Sequence, residues 1–562
     1  MENRNWQGKA AVYGIVVLLA VLTCIIMPVN YNVNDDVDLE YILSGSYTGT
    51  PDGHAIYIQA LLSYPLSWLY RLFPGWNWYG ILLYSLQWLG LALILERINE
   101  GVAGVGKHFL VSGNVLLVFF IAIWENYVSL TYTMTAGILL AAVMFWYAAG
   151  DNSLYVQAVT AFLVLVGVSL RIQFLPVVLV PGIICWALKL YKEGIQKAWQ
   201  LPLMVISGLL VMAVCQYLAY GSQEWKDFLE FNEARTEVYD YTGVPAYEEN
   251  REFYDRMGPG QQIFEALDIY DLTGRPEITA ELLLSVADYQ KEKQALPVLD
   301  RIKEAFRISG QSLFRDQYGK SLFPLNAMML VIWTGFILIS IRQKKYEYLL
   351  SGAAVLLAMG AMWFYLAWKG RLLYRILFIM QLLMITTGAG LWKYSGIAIS
   401  PDWKVRQGIL TASAMVMLVP AVLTGRGCYA RVAEMREQNK DRKILEQYFE
   451  EHPQQFYLLT TPLVAPITGE LSLRNESHPM NYAELGGWVV RSPLYDCRLE
   501  QAGIQDLREM LLDQKGYVVT SGRDMSYLFS DVYTEGEAIE YRSLEYLSGW
   551  EQKYYIHQYI QL

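Results

Sequence analysis

Five carboxylates stand between Val29 and His54, in VNYNVNDDVDLEYILSGSYTGTPDGH: Asp35, Asp36, Asp38, Glu40 and Asp52. They follow an apolar run from Ala10 to Val29. Carboxylates at such a place can take a proton from an attacking hydroxyl, or hold a divalent cation such as Mg or Mn. Asn34 reads as an N-cap, Asp35, Asp36 and Asp38 as an acidic first turn, and Gly45 as the stop of a short helix. Adjacent helical residues point about 100° apart, so Asp35 and Asp36 cannot address one proton equally. Asp36 is the expected base, with Asp35 as its partner and both as the candidate metal ligands. Asp38 and Glu40 are expected to be solvated. Asp52 and His54, in TPDGH, either complete a substrate site or form a satisfied turn and an interfacial histidine.

The cations that would answer an anionic substrate are few. WKGRLLYR carries Lys369, Arg371 and Arg375, with Arg371 and Arg375 expected at i,i+4 on one helical face. Arg171, in SLRIQFLP, either binds a phosphate or pairs with Glu125 or a loop acid. The alternative for Lys369, Arg371 and Arg375 is snorkelling toward lipid head groups. CxxC, HExxH and a Walker-type glycine loop are all lacking, and the five histidines show no zinc spacing. Cys428 and Cys497 could pair if both lie in an oxidising compartment.

The elements that must hold these residues are membrane spans. The 562 residues are 54% hydrophobic, and the mean hydropathy of +0.23 is too apolar for a soluble protein of this size. Runs near the ~20-residue spanning length fall at 10–29, 78–96, 108–124, 127–149, 153–170, 172–190, 201–220, 322–341, 346–366, 371–393 and 408–425. The segment 55–73, AIYIQALLSYPLSWLYRLF, is apolar but broken by Pro65 and rich in Tyr and Trp. If it does not cross, the short cytoplasmic segments hold 13 Lys and Arg against 6 outside; if it crosses, the count becomes 8 against 11. The positive-inside rule selects the first arrangement. This gives eleven spans, a cytoplasmic N-terminus and an extracytoplasmic C-terminus.

Two acidic regions then share the outer face with the carboxylate loop. Residues 221–320 carry 20 acidic and 12 basic residues, and residues 428–562 carry 21 and 13. The first is expected to be helical, from ITAELLLSVADYQKEKQALPVLDRIKEAFRIS. The second is expected to be a small α/β domain, with strands at QFYLLTT, GYVVTS and KYYIHQYI, a helix at IQDLREMLLDQ and a helical lead-in at 430–451. The division is therefore a membrane core at 1–427, with a first outer loop at 30–77 and a large outer loop at 221–320, followed by the domain 428–562. No basic face suggests a nucleic-acid partner.

The layout resembles the GT-C-type membrane glycosyltransferases, which include protein O-mannosyltransferases, lipid A aminoarabinose transferases and oligosaccharyltransferases. The resemblance rests on Asp35-Asp36 after the first span and on YPLSWLYRLFPGWNWYG leading into the next. It implies a polyprenyl-phosphate-linked sugar donor, a first-loop Asp acting as base or metal ligand, and a glycan, lipid or protein acceptor in the cell envelope. It implies no required cofactor, since the family includes members with and without a metal. Asp52, His54, Arg171, Lys369, Arg371 and Arg375 then become candidate substrate-binding residues. A flippase of lipid-linked glycans is the alternative from another class, yet Glu125, Arg171 and Lys369 fall at span ends and not at mid-depth, as translocation would need. A polysaccharide polymerase or ligase would instead depend on outer-loop arginines such as Arg235, Arg251 and Arg256.

Overall fold

The computed structural model describes residues 2–102, 104–258, 260–273, 275–313, 322–396, 402–460, 469–512, 516–521, 539–548 and 553–561. Among these, nine helices are long and apolar enough to cross a membrane, and the shorter apolar helices Gly106–Ala122 and Leu154–Leu170 fall where two further spans are expected. The chain is a multi-pass helical membrane protein with a small C-terminal sheet. The segment 55–73 contributes only the 13-residue helix Ala60–Leu72. At about 1.5 Å per residue it is roughly 20 Å long, too short for a ~30 Å hydrocarbon core. Its Ser63, Leu66, Ser67 and Tyr70 are buried, while Tyr64, Trp68 and Leu72 are exposed. An aromatic outer face of this kind suits a helix lying along a membrane interface.

The bundle is built around Tyr132–Ala149, which is buried along its whole length. It packs against Trp78–Asn99, Leu154–Leu170 and Tyr374–Ser395. Small residues allow the close approach. A Cβ on Gly137 would lie 2.3 Å from Ile379 Cγ1, and one on Gly390 would lie 2.6 Å from Ala148 Cβ. At the far end of this central helix, Lys189 Nζ donates to the carbonyls of Tyr147 (2.6 Å) and Gly150 (2.9 Å), satisfying acceptors a helix C-terminus leaves open.

At the near end, Asn30 and Tyr31 form a two-residue parallel ladder with Ser129 and Leu130. The Tyr31 amide also donates to Gly469 O at 2.8 Å. The chain leaving the first helix is therefore pinned on two sides before the helix Asn34–Ser44 begins. Its N-cap is Val33, without a side-chain cap, so Asn34 is the first helical residue and not the cap expected. Gly45 does end the helix, at φ +91, and Pro51 lies too close for any Cβ there.

The last span is part of a 49-residue helix, Trp403–Glu451, which runs through position 427 without a break and supplies the expected lead-in. Beyond it lies a five-stranded sheet in the order Tyr482–Glu484, Phe456–Leu459, Gly516–Thr520, Lys553–Gln561 and Ile539–Ser548. The first three strands are parallel and the last two pair antiparallel. The expected helix at IQDLREMLLDQ is present as Leu507–Leu512, while its Asp513 and Gln514 lie outside the described residues. The large loop is helical as expected, broken before Val298 by Pro297 into Ala280–Lys293 and Val298–Ser312. Its Phe231, Ile263 and Val286 share one apolar cluster with Leu458, Leu485 and Val518 of the sheet domain. The two acidic regions thus pack together. No disulfide joins Cys428 to Cys497.

Candidate active site

Asp35 and Asp36 occupy the first turn of the short loop helix, and their surroundings differ sharply. Asp36 is fully buried. Its Oδ1 accepts from Tyr79 Oη–H at 2.6 Å and from the Tyr132 amide at 2.8 Å, while Oδ2 has no partner among the described residues. Tyr132 is the first residue of the central helix, whose free amides and dipole favour an acceptor there. Burial nonetheless outweighs both hydrogen bonds and pushes the Asp36 carboxyl up to about 8. These bonds tie the expected base to Tyr79 and to the N-terminus of the central helix, in a site closed to solvent.

Asp35 is half-buried. Burial raises its pKa too, but Arg375, Arg171 and Arg235 all lie close enough to favour its charged form. These cations come from separate elements. Arg171 follows Leu154–Leu170; its Nη1 donates to Tyr132 Oη at 2.5 Å, and its guanidinium faces the rings of Tyr132 and Tyr57. Arg375 lies in the first turn of Tyr374–Ser395 and makes no ion pair among the described residues. Arg235 is buried near the end of Gln223–Thr236, where it donates to Asn232 Oδ1 at 2.8 Å and to Tyr270 Oη. From the sequence, Arg235 reads only as a polymerase-type arginine. Nothing local marks it out, because the contact depends on how the large loop folds back.

The remaining expected residues separate. Arg371 and Arg375 do not share a helical face. One helix ends at Trp368, Gly370 reverses the chain at φ +70, and the next begins only at Tyr374. Arg371 therefore lies in the turn, over the Tyr241 ring at 3.4 Å and 3.9 Å from Asp240. Asp240 belongs to the π-helical turn Glu237–Thr242. Lys369 is exposed. Glu125 pairs with Arg431, so it is not the partner of Arg171.

Asp52 and His54 make a closed unit. Asp52 Oδ1 meets the His54 amide at 2.7 Å and the ring Nδ1 at 2.6 Å, and the ring stacks on Trp225 at 4.5 Å. The hydrogen bonds from His54 hold the Asp52 carboxyl below its ordinary value despite burial. Glu40 is buried and not solvated as expected, and Asp38 is half-buried. Burial raises the pKa of both, because the sheet domain and Trp403–Glu451 cover this side of the loop helix.

Asp35 and Asp36, the expected metal ligands, are occupied with other groups. Asp36 spends Oδ1 on Tyr79 and Tyr132, Asp35 faces arginines, and no group of three or more His, Cys, Asp or Glu among the described residues could enclose an ion. A cavity of about 450 Å³ is lined mostly by apolar side chains, including Leu175, Leu209, Met212 and Tyr217, together with Gln59, Gln216 and Ile172, the residue after Arg171.

No family model and no curated protein matches the chain. Two solved structures are similar to it, both of ArnT from Cupriavidus metallidurans. The crystal structure bound to undecaprenyl phosphate is 12% identical with a TM-score of 0.38, over 96% of this chain and 97% of the other. The apo crystal structure is likewise 12% identical with a TM-score of 0.38, over 97% and 98%.

Proposed function

We propose that the chain is a membrane glycosyltransferase that moves a sugar from a polyprenyl-phosphate-linked donor to a cell-envelope acceptor on the outer face. One observation carries the reading: a half-buried carboxylate, Asp35, feels the charge of three arginines from separate elements, and Ile172, the residue after one of them, lines a largely apolar cavity. A donor of this class needs all three features. Its prenyl chain takes the apolar slot, its phosphate takes the cations, and its anomeric carbon must lie near a base. Arg171 and Arg375 are the phosphate ligands in this reading, because Arg235 already donates to Tyr270 and Asn232 and supplies fixed background charge.

In the proposed reaction, Asp35 takes the proton of an acceptor hydroxyl as its oxygen attacks the anomeric carbon. The bond from that carbon to the phosphate oxygen breaks, and its electron pair leaves with the polyprenyl phosphate. Arg171 and Arg375 offset the charge that develops on the leaving oxygen. Asp36 holds Asp35 in place by fastening the loop to the central helix. The division at position 427, the outer placement of both acidic regions and a cytoplasmic N-terminus belong to the same proposal.

The test is transfer or release from a panel of radiolabelled polyprenyl-phosphate sugars by the purified full chain, comparing wild type with Asp35→Asn. Loss of turnover with an unchanged melting temperature is expected. Full activity in a folded Asp35→Asn protein overturns the assignment.

A further inference from the structure

The large loop 221–320 reaches the bundle through the helix Val298–Ser312, which packs against the span Tyr346–Trp368. Three contacts set its level. The Arg301 guanidinium lies over the Trp368 ring at 4.7 Å, the Phe306 ring meets that of Phe364 at 4.8 Å, and Trp363 Nε1 donates to Ser312 Oγ at 3.2 Å. From Arg301 to Ser312 the helix runs about 16 Å, while its partners move only about 7.5 Å along the span. The helix therefore lies obliquely across the end of the span and stays near that level.

At about 100° per residue the helix divides into three sectors. Ile302, Ala305, Ser309 and Ser312 make its buried or half-buried side. Asp300, Lys303, Glu304 and Arg307 are centred opposite. Leu299 and Phe306 fall within about 20° of each other on the flank between, and they are 71% and 65% exposed. With Leu296 and Val298, exposed at the near end, they form one apolar stripe. Amphipathic helices ordinarily bury such residues.

The span shows what meets this stripe. Phe306 packs on Phe364, and Leu357 lies about two turns before Phe364 on the same side of the span. Leu357 is midway along Tyr346–Trp368 and 76% exposed, a position at which a membrane span faces lipid. The stripe thus continues a lipid-facing surface at the level of the span's end. The polar side adds no net charge, because Asp300 pairs with Lys303 at 3.0 Å and Arg307 donates to Glu304 at 2.7 Å. Anionic head groups find no surplus of cations there.

We infer that Leu296, Val298, Leu299 and Phe306 insert about 5–10 Å into the boundary between head groups and acyl chains, and so anchor the large loop to the lipid surface through apolar contact. Membrane contact here holds whatever the chain catalyses. The linker 294–297 joins the anchor to Ala280–Lys293, whose Lys291 Nζ meets Glu237 at 2.8 Å, and Gln294 Nε2 in the linker donates to Thr242 O at 3.3 Å. The anchor thereby bears on the turn Glu237–Thr242, which holds Asp240 beside Arg371.

The experiment is fluorescence quenching on the full chain in phosphatidylcholine nanodiscs. An environment-sensitive fluorescent amino acid stands in place of Leu299 in one protein and of Lys303 in another. Both side chains are exposed, so each protein should keep the wild-type melting temperature. A lipid carrying a nitroxide high on its acyl chain should quench the probe at 299 at least about threefold more than the probe at 303, and iodide in the buffer should do the reverse. Replacing about a third of the lipid with phosphatidylglycerol should leave the quenching at 299 unchanged. Four results overturn the inference: equal nitroxide quenching at 299 and 303; iodide reaching 299 as freely as 303, which leaves the stripe in water; protection of 299 from both quenchers, which means that protein, such as a second copy of the chain, covers it; or nitroxide quenching that appears only with phosphatidylglycerol, which makes head-group charge the feature recognised.

Discussion

The Oδ1 of Asp36 sits 2.8 Å from the amide nitrogen of Tyr132, so a carboxylate of the first loop closes the N-terminus of the central helix. Tyr79 Oη donates to the same oxygen at 2.6 Å. Two helices and the loop thus meet at one atom. The consequence for Asp35 is positional, because it precedes this anchor by one residue.

The anchor has a pH signature. Asp36 titrates near 8 in the folded chain against 3.8 ordinarily, so between those values the folded state keeps a proton that the unfolded chain has released. Its contribution to stability is full below about 4 and is lost as pH rises through about 8. Asp36→Asn keeps an acceptor for Tyr79 and Tyr132 and cannot ionise. The variant is expected to flatten the fall of melting temperature between pH 5 and pH 8, measured on protein in nanodiscs. An unchanged profile would show that Asp36 is not the buried acid described.

Asp35→Asn should behave differently. Removing a general base costs about 10²–10⁴ in turnover. The melting temperature should stay within a degree or two, since burial disfavours the charge at this position. Measuring kcat and melting temperature on both Asn variants separates base from anchor. Should Asp36→Asn lose turnover while Asp35→Asn retains it, their roles are reversed.

The arginines should divide in the same manner. Arg375→Gln removes a guanidinium next to Asp35 and should raise the KM for a polyprenyl-phosphate donor by about tenfold or more. Arg371→Gln removes a half-exposed contact with Tyr241 and Asp240, worth about 1 kcal/mol or less. It should leave that KM within about twofold, as should Lys369→Gln. Equal effects from Arg371 and Arg375 would argue for the single helical face that the extended Leu373 between them rules out.

Much of this was legible in the sequence. The spans are long apolar runs with charge at their ends, while the segment 55–73, read as broken by Pro65, folds as one 13-residue helix that runs through that proline. Gly45 is read correctly as a stop because only a residue without Cβ fits beside Pro51. The misreadings have one physical cause, which is distance along the chain. Asp36 looks like an accessible carboxylate until Tyr79 and Tyr132 arrive from two other helices and bury it. Glu40 looks solvated until residues more than four hundred positions later cover it. The strand Tyr482–Glu484 is three residues long and carries no alternation for sequence reasoning to find. Arg371 and Arg375 have the spacing of helical neighbours, but Leu373 between them is extended and the helix starts only at Tyr374.

The coupling of the loop helix to the chain beyond the last span gives the final prediction. Tyr41, on the loop helix, meets His478 Nδ1 at 2.8 Å and donates to Glu446 Oε1 at 3.2 Å, and Arg442 donates to the same Glu446 oxygen at 2.7 Å. Arg442 also donates to Tyr41. Arg442 and His478 together outweigh burial and draw the Glu446 carboxyl down to about 2, from 4.5 ordinarily. Its contribution to stability is therefore present above about 4.5 and is lost as pH falls through about 2. Glu446→Gln discards that contribution at neutral pH and leaves the Arg442 guanidinium short of its counter-charge, at a cost of about 2–4 kcal/mol. Because the loop helix also carries Asp35, the variant should lower turnover along with melting temperature. Tyr41→Phe, which keeps the ring and the ion pair, should lower both by less. A Glu446→Gln protein with wild-type melting temperature at pH 7 would show that the long helix and the loop helix are not coupled through this node.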